Sequence, residues 1–262
     1  MKVVHGVMLL LLCALVPVAA AADATPRNGQ WQDWEYVVFE TRGGGDQESL
    51  PLVIALHSSG SQPEELASAF ADLPVRARVV LPRGPFPRPS GRSWFPEGYG
   101  ALPASAQAAV TEAAESRLTA FIQQMQERHP TRGRPLLTGV SYGGDLSLLL
   151  ILHHPDAYTA AFPVAARLLP EWQQSAVDCA DACPPILALH GRDDRTVPMA
   201  PTETALQALG ARGWPVSMRG YEHTAHDFSP AMQADVRQAI ADRFRAMTGD
   251  ANMGKLTPTV DK

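Results

Sequence analysis

Short runs rich in Val, Ile and Leu recur along this chain: Glu35 to Glu40, Pro51 to His57, Ala77 to Pro82, Arg134 to Val140, Thr159 to Ala165, Pro185 to Gly191 and Pro215 to Tyr221. Several are apolar at consecutive positions, as in Leu52, Val53, Ile54, Ala55 and Leu56, so a strand there has two apolar faces and needs a covering layer on each. The alanine-rich segments between the runs supply those layers, which predicts an α/β fold: a mostly parallel central sheet with helices on both faces. From Pro103 to Arg128, Leu118, Phe121, Ile122 and Met125 fall at three- and four-residue spacing, one apolar stripe on a surface helix. The segment after Ser141 reads Leu-Ser-Leu-Leu-Leu-Ile-Leu, apolar all round, and must be buried. Pro63 to Phe70, Ala200 to Gly213 and Ser229 to Met247 complete the helical set.

At 262 residues and 45% hydrophobic the chain can bury one substantial core. Its net charge of -5, with Lys and Arg scattered, offers no footprint for nucleic acid or an anionic membrane. A small-molecule partner is the expectation. At the amino end Lys2 precedes an apolar stretch from Val7 to Val18 and then alanines, including Ala20 and Ala22. That pattern predicts a secretory signal over 1–22, since the run is shorter than the ~20 residues a membrane span needs. A single domain over 23–248 and a polar tail over 249–262 follow, in a secreted or periplasmic protein. Without the signal only Cys179 and Cys183 remain, and in an oxidising compartment they are expected to form a disulfide that pins a loop.

The stretch from Pro82 to Ala104 looks too rich in Pro and Gly for regular structure and is longer than most connections. It contains Trp94, Phe95 and Tyr99. Trp94 and Phe95 could plug the loop onto the core; the expectation is that they wall a substrate pocket.

Gly139 to Gly143, Gly-Val-Ser-Tyr-Gly, matches G-x-S-x-G between an expected strand and an expected helix. On such a turn a serine hydroxyl stands clear of the sheet. It is a poor nucleophile until a base, itself oriented by an acid, takes its proton. The loop after Pro185 to Gly191 offers Asp193 and Asp194, and the loop after Pro215 to Tyr221 offers His223 and His226. His57, His153, His154 and His190 read as structural or solvated, and Asp227 as a cap for the last helix.

His190 to Pro198, His-Gly-Arg-Asp-Asp-Arg-Thr-Val-Pro, resembles a loop of the phospholipase/carboxylesterase family of α/β-hydrolases, and Tyr221 to Phe228 is similar to that family's closing histidine segment. Pro51 to Leu66 and Gly91 to Phe95 resemble its early histidine segment and an aromatic stretch. The resemblance implies a serine carboxylesterase working through an acyl-enzyme without metal or cofactor. It implies Ser141 as nucleophile, Asp194 as acid, His226 as base, and the backbone N–H groups of Tyr142 and Ser59 as the oxyanion hole. Ser58 stands where the family usually has Gly, and Tyr142 where it often has Gln. The same residues would serve a thioesterase or an acyltransferase, and outside catalysis a ligand-binding homologue would keep the fold alone.

Overall fold

The computed structural model describes residues 25–179 and 183–248. The expected signal over 1–22 and the tail over 249–262 lie outside the described residues. Ten strands and six α-helices are formed among the described residues. In chain order they are β1 (Arg27–Trp31), β2 (Trp34–Glu40), β3 (Leu52–Leu56), α1 (Pro63–Ser68), β4 (Arg78–Pro82), β5 (Phe86–Arg88), β6 (Gly91–Ser93), α2 (Ala104–Arg128), β7 (Leu136–Val140), α3 (Tyr142–His153), β8 (Ala161–Val164), α4 (Pro170–Ser175), β9 (Ile186–Gly191), α5 (Met199–Ala211), β10 (Val216–Tyr221) and α6 (Pro230–Thr248). Eight strands make one sheet in the order β1-β2-β4-β3-β7-β8-β9-β10. It is parallel from β4 to β10, and β2 runs antiparallel to both of its neighbours.

Both faces of this sheet are buried from β2 to β9, the edge strands β1 and β10 being more open, and the two-residue period of the strands sorts side chains between the faces. In β3, Leu52, Ile54 and Leu56 join one cluster with Leu118, Phe121, Ile122 and Met125 of α2 and with the apolar side chains of α3 and α5. Val53 and Ala55 point the other way, into a cluster with Leu66 of α1 and Met232, Val236, Ile240 and Phe244 of α6. The run from Gly143 to Leu152 in α3 is buried throughout, as its composition requires. Six strands sharing one direction bring the loops after β3, β7, β8, β9 and β10 to the same end, where ligands of open α/β sheets bind.

Between Pro82 and Ala104 the structure departs from the sequence reading. Regular structure is present: β5 and β6 pair antiparallel over Phe86↔Ser93, Pro87↔Arg92 and Arg88↔Gly91. The Arg92 side chain holds this ribbon by donating from Nε to the Gly84 carbonyl (2.9 Å) and from Nη2 to that of Pro85 (3.0 Å). Cys179 and Cys183 form the expected disulfide, with Cα atoms 5.7 Å apart. The last helix is capped by Ser229, whose Oγ accepts the Met232 N–H at 3.4 Å, and not by Asp227.

Candidate active site

Ser141 sits in the one-residue turn between β7 and α3 with φ 55 and ψ -122, a conformation an L-residue adopts only when its surroundings enforce it. The glycines on either side make the enforcement possible. A Cβ on Gly143 would lie 2.2 Å from the Leu56 carbonyl oxygen and 2.7 Å from that of His57, and one on Gly139 would lie 2.3 Å from the Gly143 oxygen. The first turn of α3 is therefore pressed against the end of β3. Ser141 N–H donates to the Val164 carbonyl at 2.9 Å, tying the turn to β8 as well.

Residues far apart in sequence converge on the Ser141 hydroxyl. His226 Nε2 lies 3.0 Å from Ser141 Oγ, and His226 Nδ1 lies 2.7 Å from Asp194 Oδ2. A carboxylate only accepts, so Nδ1–H donates to Asp194 and Nε2 is left to accept the serine proton. The Asp194 carboxylate is buried and fixed: its Oδ1 accepts the N–H groups of Thr196 (2.9 Å) and Val197 (2.8 Å). Asp193 points to solvent, its N–H donating to the Thr224 carbonyl, and His223 is exposed at φ 54. The structure thus brings Asp194 and His226 to Ser141 and leaves Asp193 and His223 outside. His190 is a buried structural ring whose Nε2 is 2.7 Å from the Val197 carbonyl, bracing the Asp194 loop.

The Ser58–Ser61 loop faces the start of α3. Ser59 N–H has no hydrogen-bond partner among the described residues, and its hydroxyl donates to Ser93 Oγ at 2.9 Å. The β5–β6 ribbon holds this loop through Gly60 N–H to the Arg92 carbonyl (2.8 Å) and Arg92 N–H to that of Ser61 (3.0 Å). His57 holds it from beneath. Its Nδ1 is 2.7 Å from the Ser58 carbonyl, its Nε2 accepts the Gly84 N–H at 2.9 Å, and the Trp94 ring lies over it at 4.9 Å. Burial holds this imidazole well below its usual range, at about 4, so the ring is neutral.

Trp94 and Phe95 do not wall the cleft. Both are buried; Trp94 Nε1 donates to the His57 carbonyl at 2.7 Å, and Phe95 stacks on Tyr99 at 4.1 Å and meets the Tyr142 ring edge-on at 5.0 Å. They lie behind the loops that face Ser141. The open space beside His226 is a cavity of about 300 Å³ bordered by Ser58, Ser61, Val140, Leu66, Phe228 and Gln233.

One buried ion pair at this end escaped the sequence reading. Asp145, in the first turn of α3, accepts the Arg167 backbone N–H (2.6 Å) on Oδ1 and its Nε (2.9 Å) and Nη2 (2.6 Å) on Oδ2. Burial pushes this carboxyl upward and the Arg167 charge offsets part of that. The guanidinium lies 5.1 Å from the centre of the Tyr142 ring, so the pair locks the loop after β8 onto the residue that follows Ser141. The available signal was an aspartate inside an otherwise apolar helix, which demands a partner.

With this geometry in view, similarity to known proteins is informative. The family model described as Phospholipase/Carboxylesterase matches residues 43–243. A carboxymethylenebutenolidase-like protein of Salmonella typhimurium is 22% identical over 233 residues, covering 86% of this chain and 83% of that protein. Among solved structures, a carboxylesterase from Mesorhizobium loti superposes with a TM-score of 0.66 at 23% identity, covering 82% of this chain and 98% of that one. Esterase PE8 superposes with a TM-score of 0.65 at 22% identity, covering 75% and 94%. At these identities the superpositions speak for a shared α/β-hydrolase fold. The family match spans most of the sheet and every loop around Ser141, and on that ground the chain belongs to the phospholipase/carboxylesterase family.

Proposed function

We propose that this protein is a serine carboxylesterase in which Ser141, His226 and Asp194 act as nucleophile, base and acid. Ser141 Oγ attacks the ester carbonyl carbon while its proton passes to His226 Nε2. The oxyanion that forms takes hydrogen bonds from the N–H groups of Tyr142 and Ser59, with the positive end of the α3 dipole behind them. When the tetrahedral species collapses, the C–O bond to the alcohol breaks and His226 returns the proton to the departing oxygen. Water then attacks the acyl-serine, giving its proton to His226, and the acid leaves with Ser141 restored.

The observation that supports this reading is the strained Ser141 whose hydroxyl lies 3.0 Å from an imidazole that a buried carboxylate orients. Ser141→Ala is expected to lower turnover of a short-chain aryl ester by several orders of magnitude with an unchanged unfolding transition. Full turnover by that variant would refute the assignment. Hydrolysis in a secreted or periplasmic setting is part of the proposal, supported by the signal-like pattern of the first residues and the Cys179–Cys183 disulfide.

A further inference from the structure

Arginines gather at the end of the sheet remote from Ser141. Arg42 follows β2, Arg76 precedes β4, Arg132 precedes β7 and Arg245 lies in the last turns of α6; with Glu48 they rim a cavity of about 410 Å³. Its apolar lining comes from Leu50, Pro51, Val75 and Phe244, of which Leu50 and Phe244 belong to the buried core. These residues cluster at the amino ends of β3, β4 and β7, whereas Ser141, Asp194 and His226 follow the carboxyl ends of β7, β9 and β10. A strand of this length separates the two sites by roughly 17 Å.

The charges of this rim are incompletely matched. Arg76 pairs with Glu48, and Arg245 pairs with Asp242 at 2.9 Å. Arg42 donates Nε to the Leu73 carbonyl at 3.3 Å; among the described residues it meets no carboxylate, and the Arg132 guanidinium has no hydrogen-bond or ion-pair partner. Arg78 shows the contrast: fully buried nearby, it is saturated by Glu40 at 2.8 Å and by the carbonyls of Pro130, Gly45 and Asp46. Excess positive charge over an apolar floor, on a chain whose net charge is -5, is complementary to one ligand class. A guanidinium fork grips a carboxylate or phosphate through two parallel hydrogen bonds, and the floor covers an attached apolar body. The volume falls within the few-hundred-Å³ range of small-ligand pockets.

We propose that this cavity is a second ligand site, one that takes a small amphiphilic anion with its head between Arg42 and Arg132 and its apolar body against Leu50 and Phe244. Calorimetric titration of the full chain with octanoate, octyl phosphate, octanol and inorganic phosphate tests it, and the better of the two octyl anions identifies the head group. At least one octyl anion should bind with a sub-millimolar Kd, weaken with added salt, and exceed octanol and inorganic phosphate by at least about tenfold. Arg42→Gln with Arg132→Gln should weaken that anion by about tenfold or more while leaving hydrolysis of a short-chain aryl ester unchanged, which also reports an intact fold. Two results would overturn the proposal: octyl anions that bind no tighter than octanol, or a double variant that binds them as the parent does.

Discussion

His57 couples acidity to the loop that presents Ser59. With Nδ1 at the Ser58 carbonyl and Nε2 accepting the Gly84 N–H, only the neutral ring fits; a second ring proton would face a donor. Its folded-state value of about 4 lies below the 6.5 of an exposed imidazole. As pH falls, the unfolded chain therefore takes up a proton first. The stability that His57 confers is complete above about pH 6.5 and is lost as pH drops through about 4. A gap of ~2.5 pH units, at ~1.36 kcal/mol each, amounts to ~3 kcal/mol, a large share of the ~5–15 kcal/mol that holds a domain folded. Most of it should be gone by about pH 4.5. His57→Gln keeps an acceptor for Gly84 N–H but does not titrate. Urea unfolding of parent and variant at about pH 7 and about pH 4.5 should give a stability difference that shrinks by about 2–3 kcal/mol on acidification. A difference that stays constant across that interval would refute the account, because every other titrating group is common to both proteins.

Other substitutions probe the same end of the sheet. Asp194→Asn should reduce kcat on an aryl ester by up to ~10⁴-fold, whereas Asp193→Asn, pointing to solvent, should stay near parental activity; the opposite ranking in steady-state assays would reassign the acid. Gly143→Ala places a methyl 2.2 Å from the Leu56 carbonyl, so its denaturant midpoint should fall by the equivalent of at least ~1–3 kcal/mol, and a parental midpoint would mean that the elbow is loosely packed. Arg167→Met leaves the Asp145 carboxylate buried without its partner, a loss near the lower end of ~3–5 kcal/mol because Arg167 is partly exposed; adding Asp145→Leu should recover much of it in the same unfolding assay.

The central strands were legible because burial on both faces writes itself into composition: β3, β4, β7, β8 and β9 fall within the apolar runs, and β2 exceeds its run only by Trp34. The edge strand β10 falls within its run too, although its side chains are only partly buried or exposed. β1 was not legible, because Arg27–Trp31 has no apolar run and is an edge strand reached through a tight turn with Gln32 at φ 52. The β5–β6 ribbon was hidden for another reason. It rests on three residue pairs and on one arginine side chain reaching carbonyls, a tertiary arrangement that no local periodicity encodes. Likewise the order of serine, aspartate and histidine along the chain could be read from loops after strands. Choosing Asp194 over Asp193 depended on the direction in which a turn sends two adjacent side chains, and the residues alone left that open. Trp94 and Phe95 were visible as aromatics that cover something; that they cover His57 and Tyr142 follows only from the folded loop.

The molecule contains a second chain of serine, histidine and acid, and it offers a test of whether convergence alone makes a nucleophile. Ser175 Oγ lies 2.7 Å from His153 Nε2, and His153 Nδ1 lies 2.9 Å from Glu115 Oε1, distances that match those around Ser141. The two chains meet opposite ends of one helix: Ser141 precedes the first residue of α3, and His153 is its last. Backbone N–H groups and the positive end of the helix dipole would face an oxyanion formed at Ser141. At Ser175 the neighbours are the carbonyls of Glu171 (2.9 Å) and Trp172 (3.3 Å) and the negative end of α3, which would repel developing negative charge. Glu115 divides its Oε1 between His153 and His154 (2.9 Å); Asp194 Oδ2 also has His190 Nε2 at 3.3 Å beside His226, but two backbone N–H groups on Oδ1 commit Asp194 to a single orientation. If anion stabilisation and a fixed acid are what activate the hydroxyl, a fluorophosphonate should modify the peptide containing Ser141 and leave the one containing Ser175 untouched. Equal labelling of both serines would mean that three groups at hydrogen-bonding distance suffice, and that the turn, the glycines and the helix start contribute nothing to reactivity.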